Sequence, residues 1–186
     1  MPSAVPWRPT REQIDAAHSG RIPDVLGPAL DVVFVGINPG LYSAAVGHHF
    51  ARPGNRFWKA LHGGGFIEHV LSPFEDHTLL DRGLGLTNLV ERATASAAEL
   101  TEDELRAGAG RLRRKVARHR PRSVAVLGVG AYRAAFGRRW AGFGAQDETL
   151  ATAPLWVLPN PSGLNAHFQL PALIETFREL RRAVGR

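Results

Sequence analysis

The 186-residue sequence contains no cysteine. Disulfides, thiol nucleophiles, thiolate zinc sites and cysteine-ligated iron–sulfur clusters are therefore excluded. The sequence also has no apolar run that approaches the roughly 20 residues of a membrane-spanning helix. Its opening residues, MPSAVPWRPTREQ, lack the charged and then apolar segments of a secretory signal peptide. These absences predict a cytoplasmic protein that does not bind a membrane.

Lysine is the second scarce residue, because Lys59 and Lys115 are the only lysines among 23 basic residues. The other basic residues are arginines, and with 17 acidic residues the formal net charge is +6. Arginine grips phosphate with two parallel hydrogen bonds, so this composition favours nucleic-acid binding. A preference for arginine over lysine can equally reflect genomic base composition, and both explanations stay open.

The sequence offers little for a metal or a cofactor. None of the eight histidines belongs to a helical metal motif with glutamate, and the adjacent His48 and His49 would point in different directions. The segment 127–133 resembles a dinucleotide-binding turn, but an arginine stands at its third glycine position. The simpler interpretation is that the glycines of this segment let a helix start close to a sheet, with the first amides of that helix facing a DNA phosphate. We expect neither a metal nor a cofactor.

The chain length suits one domain, since two ordinary domains would each be undersized. Buried strands are indicated by runs of β-branched and aromatic residues, and helices by capping residues followed by apolar stripes. Strands are predicted at 31–36, 83–90, 123–127 and 155–158, and helices are predicted to begin near Thr10, Asn55, Ser72, Thr101, Ala131 and Leu170. This alternation predicts an α/β fold, a three-layer α/β/α sandwich with a mainly parallel central sheet. We assign residues 1–21 to an N-terminal extension and residues 22–186 to the single domain.

The helix that begins at Thr101 is predicted to turn its basic side chains away from the core. Such a face is usually solvated, and it suits the C-terminal end of the helix dipole. Contact with DNA is the alternative. The residues are Arg106, Arg111, Arg113, Arg114, Lys115 and Arg118.

Two predicted strands run into unusual loops. Residues 36–40 (GINPG) follow the first strand, and residues 159–165 (PNPSGLN) follow the fourth. Ligands of open α/β sheets bind beyond the carboxyl ends of the strands, so both loops fall where an active site is expected. Asparagine, proline and glycine also form ordinary turns, which is the alternative for each loop alone. Between the loops, Phe50 is an aromatic residue in a turn-rich segment without apolar periodicity.

Four stretches of the sequence occur in a distinctive order and spacing: GINPGLYS at 36–43, FARPGNRFWKAL at 50–61, TNLVERAT at 87–94 and LPNPSGLN at 158–165. They resemble the mismatch-specific uracil-DNA glycosylases, the bacterial relatives of thymine-DNA glycosylase, and the similarity spans Ile22 to Val184. The resemblance implies the uracil-glycosylase sandwich. It also implies a monofunctional DNA glycosylase that flips a base and hydrolyses its N-glycosidic bond, which initiates base excision repair. The implied substrates are uracil, thymine or etheno-cytosine opposite guanine.

The resemblance also assigns the residues of an active site. Asn38 would orient the attacking water, and Phe50 would stack on the flipped base. The main-chain amides of Ile37 and Asn38, together with Ser43, would line the loop that reads the polar edge of the base. An amide side chain cannot take a proton as a carboxylate does, so turnover should be slow. Glu91 is a candidate second carboxylate, the alternative being a structural ion pair with an arginine. The other implied pocket residues are Gly36, Pro39, Gly40, Asn88 and Asn160.

The second loop matches the segment that the family inserts into the DNA helix. Leu164 would fill the space left by the flipped base, and the backbone of Gly163 and Asn165 would read the widowed guanine. An ordinary, partly buried loop leucine is the alternative. The resemblance breaks just after this triplet, where Ala166 stands in place of an arginine of the bacterial relatives. Further DNA contacts are expected at Ser162 and His167.

The expected partner is double-stranded DNA with a mismatched or damaged base, bound by a monomer. A second class of function stays open, a lesion-binding module on the same fold with feeble or absent catalysis. Asn38 in place of a carboxylate keeps this alternative open, because the sequence does not separate slow chemistry from none.

Overall fold

The computed structural model describes residues 7–186, and it confirms the predicted α/β architecture. Residues 1–6 of the predicted extension lie outside this described part. The strands of the described residues are β1 (Val32–Gly36), β2 (Leu84–Asn88), β3 (Ser123–Leu127), β4 (Gly144–Leu150) and β5 (Ala153–Leu158). They form one sheet in the order β2-β1-β3-β5-β4.

The sheet is mainly parallel, as predicted. β1 pairs in parallel with β2 and with β3, and β3 pairs in parallel with β5. Val35 of β1 stands opposite Thr87 of β2 and Val126 of β3, so these three strands end at one edge. β4 is an antiparallel strand at the end of the sheet, and it was not predicted from the sequence.

Helices connect the strands, except that a short turn joins β4 to β5. The caps predicted at Thr10, Ser72 and Thr101 all form capping boxes. The helix after Ser72 is a 3-10 helix, Pro73–Arg82, and a second 3-10 helix covers Ala97–Glu99. None of the described helices has the length and apolar character needed to cross a membrane. The α-helices are α1 (Arg11–Ala16), α2 (Leu41–Val46), α3 (Phe57–Gly63), α4 (Glu102–His119), α5 (Val129–Phe136) and α6 (Leu170–Ala183).

Two apolar layers hold the sheet between the helices. On one face, the ring of Phe34 stacks on Phe177 of α6 with centroids 5.6 Å apart and meets Phe57 of α3 edge-on at 5.5 Å. On the other face, Val35 belongs to an apolar cluster with Leu112 of α4. Every residue of β1, β2 and β3 is buried, as expected for strands covered on both faces. The three-layer sandwich is therefore confirmed.

The predicted N-terminal extension is joined to the domain by main-chain hydrogen bonds. The Ser19 N–H donates to the Ala93 carbonyl at 2.9 Å, and the Ala93 N–H donates to the Gly20 carbonyl at 2.8 Å. These bonds hold the chain next to Thr94, a residue of the cavity described below. The domain boundary after residue 21 stays a prediction.

Candidate active site

A cavity of about 300 Å³ opens at the carboxyl edge of the sheet. β1 ends at Gly36, β2 ends at Asn88, and Asn160 follows β5 by two residues, so three strands deliver residues to this cavity. It lies at the edge where open α/β sheets bind ligands. The predicted site residues that line it are Gly36, Ile37, Asn38, Pro39, Gly40, Ser43, Phe50, Asn88, Asn160, Ser162 and Leu164.

The side chain of Asn38 is held in one orientation. Its Nδ2 donates to the Arg92 carbonyl at 3.0 Å and to the Thr94 hydroxyl oxygen at 2.7 Å. A main-chain carbonyl only accepts hydrogen bonds, which assigns the nitrogen to that side of the amide. The Thr94 hydroxyl donates its own hydrogen to the Ser96 carbonyl at 2.8 Å, so it accepts from Asn38. Oδ1 of Asn38 has no donor within the described residues and is available to a ligand or a water molecule.

Phe50 gives the cavity an aromatic wall. Its ring stacks on the ring of Phe57, with centroids 4.1 Å apart and planes inclined by 23°. Its φ angle is 52°, in the left-handed region that non-glycine residues rarely adopt. The main chain of the next residue, Ala51, is held in place because its N–H donates to the Ser43 hydroxyl oxygen at 3.0 Å. The strained backbone and the stacked ring fix the position of this aromatic wall before any ligand binds.

His49 is a buried neighbour of Phe50 that also lines the cavity. Its Nε2 lies 2.9 Å from the Pro23 carbonyl, which only accepts, so Nε2 carries a hydrogen. Its main-chain N–H donates to Asp76 at 3.2 Å. Burial lowers the pKa of His49 below its ordinary value, so the ring is neutral at pH 7. His49 therefore shapes the cavity without adding a positive charge to it.

Gly36 leaves room for the side chain of Asn88. A Cβ atom added at Gly36 would lie 2.4 Å from Oδ1 of Asn88 and 3.5 Å from Cε1 of Phe50. Asn88 is buried at the end of β2, and its side-chain amide has no hydrogen-bond partner within the described residues. An amide offers a donor and an acceptor together, which suits the polar edge of a pyrimidine base. The missing side chain at Gly36 thus lets an aromatic face and a free amide meet in one cavity.

The loop after β5, residues 159–168, carries Leu164 on a tight turn, and we call it the Leu164 loop. The turn closes because the Asn165 N–H donates to the Ser162 carbonyl at 3.0 Å. The Leu164 N–H donates to the Ser162 hydroxyl at 3.3 Å, and the Ser162 N–H donates to Oδ1 of Asn160 at 2.9 Å. Leu164 is 76% exposed, which excludes the alternative of a partly buried loop leucine. An apolar side chain therefore stands in solvent at the mouth of the cavity.

Three further predicted residues belong to the Leu164 loop but do not line this cavity. Asn165 and His167 line a neighbouring cavity of about 570 Å³, and Leu164 lines both cavities. Gly163 contacts the turn at Gly54, because a Cβ atom added to it would lie 2.6 Å from the Gly54 carbonyl oxygen. The Leu164 loop thus separates two cavities and packs against the segment that follows Phe50.

Glu91 does not line the cavity. Its carboxylate pairs with Arg21 at 3.1 Å and with Lys115 at 3.4 Å, which favours the alternative of a structural ion pair. The prediction that Arg111 and Lys115 face solvent was wrong. Arg111 is half-buried, and its guanidinium donates to the Leu89 carbonyl at 3.3 Å. Lys115 is half-buried as well. The Lys115 ammonium lies 2.7 Å from the Asp24 carboxylate and 3.1 Å from the Thr87 hydroxyl, because the carboxylates of Asp24 and Glu91 attract it toward β2. Arg106, Arg113, Arg114 and Arg118 are exposed on α4, as predicted.

Several residues that line the cavity were not predicted from the sequence. Thr94, which fixes Asn38, lies at the end of the matching stretch TNLVERAT, so a signal was present. Asn55 also lines the cavity, and its Oδ1 accepts from the Phe57 N–H at 2.9 Å. Arg52 is exposed at the cavity and forms no ion pair within residues 7–186. The cavity therefore combines neutral amides and hydroxyls with one guanidinium.

The cavity has the chemistry of a pocket for a neutral, planar, polar-edged ligand. An aromatic face, free amide groups and an oriented acceptor suit a nucleobase, and the exposed Arg52 suits a phosphate. Nowhere in the described part of the chain do three or more histidine or carboxylate side chains gather in a way that could hold a metal ion. The residues present can position water and stabilise negative charge.

The fold and the cavity together define an α/β protein with a polar, aromatic-walled pocket at the strand ends. The sequence profile of the Uracil DNA glycosylase superfamily matches residues 23–183, so the chain belongs to this superfamily of DNA glycosylases and DNA is its partner. The fold is similar to the solution NMR structure of a candidate uracil DNA glycosylase from Methanosarcina acetivorans, with 21% sequence identity and a TM-score of 0.60. The similarity covers 88% of this chain and 98% of that chain, and it confirms the predicted uracil-glycosylase fold.

Proposed function

We propose that this protein flips uracil out of G·U mismatches in duplex DNA and hydrolyses the N-glycosidic bond, the first step of base excision repair. Thymine and etheno-cytosine opposite guanine are the other candidate substrates. The observation that carries the proposal is the orientation of Asn38. Its Oδ1 is free in the same cavity as the ring of Phe50 and the amide of Asn88.

The first part of the mechanism concerns the water nucleophile. Oδ1 of Asn38 accepts a hydrogen bond from a water molecule and holds the water oxygen toward C1′ of the flipped nucleotide. Because an amide oxygen does not remove a proton, Asn38 positions the water and does not act as a general base. The bonds from Nδ2 to Arg92 and Thr94 hold this geometry before the substrate arrives.

The second part concerns the leaving base. As the bond from C1′ to the base nitrogen breaks, its electron pair leaves with the base, and the sugar develops oxocarbenium character. The water oxygen then bonds to C1′ and its proton passes to solvent. Negative charge on the departing base is stabilised by donors that are already in place, for which the amide of Asn88 and the main-chain amides of Ile37 and Asn38 are our candidates. Phe50 holds the plane of the base.

The proposed enzyme is monofunctional, since a strand-cleaving lyase step needs an amine nucleophile at the sugar. Lys59 is exposed on α3, and Lys115 is bound by Asp24 and Glu91. Neither lysine is among the residues that line the cavity. The expected product is therefore an intact strand with an abasic site.

The Leu164 loop supports the preference for mismatches. An exposed leucine beside the pocket can enter the space that the flipped base leaves. Flipping requires a few kcal/mol, and less for a weakly paired base, so uracil opposite guanine should be extruded more easily than uracil opposite adenine. The resemblance of the four sequence stretches to mismatch-specific enzymes points the same way.

The deciding experiment uses an end-labelled duplex with one uracil opposite guanine, followed by hot alkali to cleave abasic sites. We expect strand cleavage after alkali only, slower cleavage with uracil opposite adenine, and strong loss with Asn38→Ala. Parallel duplexes with thymine or etheno-cytosine opposite guanine give the substrate range. A gel shift without any cleavage would reject the enzyme and support the lesion-binding module.

A further inference from the structure

Arg56 connects the segment that carries Phe50 to the Leu164 loop. Its guanidinium donates to the carbonyls of Ser162 at 2.5 Å and Asn165 at 2.7 Å, and it also donates to the Phe168 carbonyl. The main-chain N–H of Arg56 donates to the Pro161 carbonyl at 2.9 Å. A single residue thus binds four carbonyl groups of this loop.

The Arg56 guanidinium interacts mainly with these carbonyl groups. The guanidinium has no carboxylate partner within residues 7–186, and its Nε is buried without a hydrogen-bond partner. A partly buried cation that is neutralised only by carbonyl dipoles stabilises a fold poorly, compared with an apolar side chain of similar size. The planar fork of arginine does, however, fix several acceptors in one relative geometry. The arrangement therefore favours a role in setting the shape of the loop.

The carbonyls that Arg56 binds lie on either side of Leu164. Nη2 of Arg56 reaches both Ser162 and Asn165, which are the two ends of the tight turn. Leu164 lies between them, and its side chain is 76% exposed, so packing covers only a small part of it. The position of this leucine is therefore set by the turn. The turn has internal hydrogen bonds through Asn160 and Ser162, and Arg56 joins both of its ends to the segment that carries Phe50.

We propose that Arg56 is a positioning residue that holds Leu164 ready to enter the DNA duplex. This inference rests on the proposed function, in which Leu164 replaces the flipped base. A loop that already has its bound conformation loses little freedom when it binds, so more of the binding energy is available for flipping. Without Arg56 the loop samples other conformations, and the apparent rate on duplex DNA falls in proportion to the competent fraction.

The test compares Arg56→Met and Arg56→Lys with Arg114→Met, a matched loss of charge at an exposed residue of α4. Single-turnover excision is measured on a G·U duplex and on a single strand with one uracil. For Arg56→Met we expect the duplex rate to fall about tenfold or more and the single-strand rate to change by less than about threefold. Arg56→Lys should recover part of the duplex rate, and Arg114→Met should match the wild type.

A double-mutant cycle with Leu164→Ala separates positioning from a general loss of structure. If Arg56 acts through Leu164, adding Arg56→Met to Leu164→Ala should slow duplex excision by less than about twofold. Full additivity, or equal losses on duplex and single strand, would overturn the inference. Thermal melting checks the fold of each variant. If Arg56→Met does not fold, the same double-mutant cycle is measured with Arg56→Lys. A wild-type protein that excises no uracil at all would instead refute the proposed function, and this inference with it.

Discussion

The amide nitrogen of Asn38 lies 2.7 Å from the hydroxyl oxygen of Thr94, a residue 56 positions further along the chain. Together with the Arg92 carbonyl, this hydroxyl holds the amide so that its oxygen is the free atom. The orientation of the proposed catalytic group thus depends on contacts between the loops after β1 and β2, which lie side by side because those strands pair in parallel.

Removing the Asn38 amide should abolish most catalysis and leave binding nearly intact. We expect Asn38→Ala to slow single-turnover excision about 100-fold or more, because the lost group acts chiefly in the transition state. Thr94→Val removes one acceptor and lets the amide turn, so a smaller loss, about fivefold, is expected. Rapid-quench rates and gel-shift affinities on one G·U duplex check both effects. An unchanged rate for Asn38→Ala would refute its assignment.

The aromatic wall is tested with Phe50→Ala and Phe50→Tyr. Stacking between a base and an aromatic ring contributes roughly 1–3 kcal/mol, so Phe50→Ala should weaken both binding and cleavage, including cleavage of an already unpaired uracil. Phe50→Tyr keeps a ring and should retain most of the activity. The comparison is made by single-turnover rates at saturating and subsaturating protein. If Phe50→Ala cleaves an unpaired uracil as fast as the wild type, the ring does not contact the base.

Most of the fold could be predicted from local sequence patterns, and the exceptions have physical causes. The buried strands β1 and β3 are nearly continuous apolar runs, and α4 begins at a capping box. β4 has the sequence GAQDETL, in which partly buried and exposed residues alternate at the end of the sheet, so no apolar run marks it. α2 is a single short helix between two glycines, and it resembles a turn in sequence.

Residues of the site could be predicted from the sequence only where they lie in a recognisable motif. Asn38, Phe50 and Leu164 lie in stretches that resemble a known family, and all three line the cavity. Thr94 binds Asn38, and Arg56 binds the Leu164 loop, through contacts that join residues 56 to 112 positions apart in the chain. Such pairs leave no periodicity in the sequence, because the packing of the sheet alone brings them together.

The space above Gly36 should be essential for the pocket. In Gly36→Ala the added methyl group would collide with the Asn88 side chain at 2.4 Å, so Asn88 must leave its place. We expect the excision rate to fall at least about tenfold, because displacing the Asn88 amide from the site should cost about as much as removing it. Gly142→Ala is the matched control, because a Cβ atom there meets nothing within 4 Å. Equal activity of both variants would show that Asn88 does not contact the base.

Salt dependence tests whether the arginines contact DNA. Each neutralised phosphate contributes about −0.9 to the slope of log affinity against log salt concentration. Arg52 is exposed at the cavity without an ion pair in the described structure. Arg52→Met should therefore make the slope shallower by about the contribution of one phosphate contact. Arg113→Glu and Arg114→Glu on α4 should change affinity little. Fluorescence anisotropy over a salt series measures the slopes, and a flat wild-type response would mean that the +6 charge does not contact phosphates.

The side chain of Leu164 is 76% exposed at the mouth of the cavity. If this side chain fills the space of the flipped base, its contribution to the excision rate depends on how firmly that base was paired. Flipping needs a few kcal/mol for a well-paired base and little for an unpaired one. Leu164→Ala should therefore slow excision most for uracil opposite adenine, less opposite guanine and least in a single strand.

The measurement is a set of single-turnover rates for the wild type and Leu164→Ala on these three substrates. Ala166 stands near Leu164 in a loop whose own residues include no arginine that could hold the DNA strand, so the loss on the A·U duplex should be large, about tenfold or more. Leu164→Met keeps an apolar side chain of similar volume and should restore most of that loss. Equal losses on all three substrates would mean that Leu164 packs the pocket and does not enter the duplex.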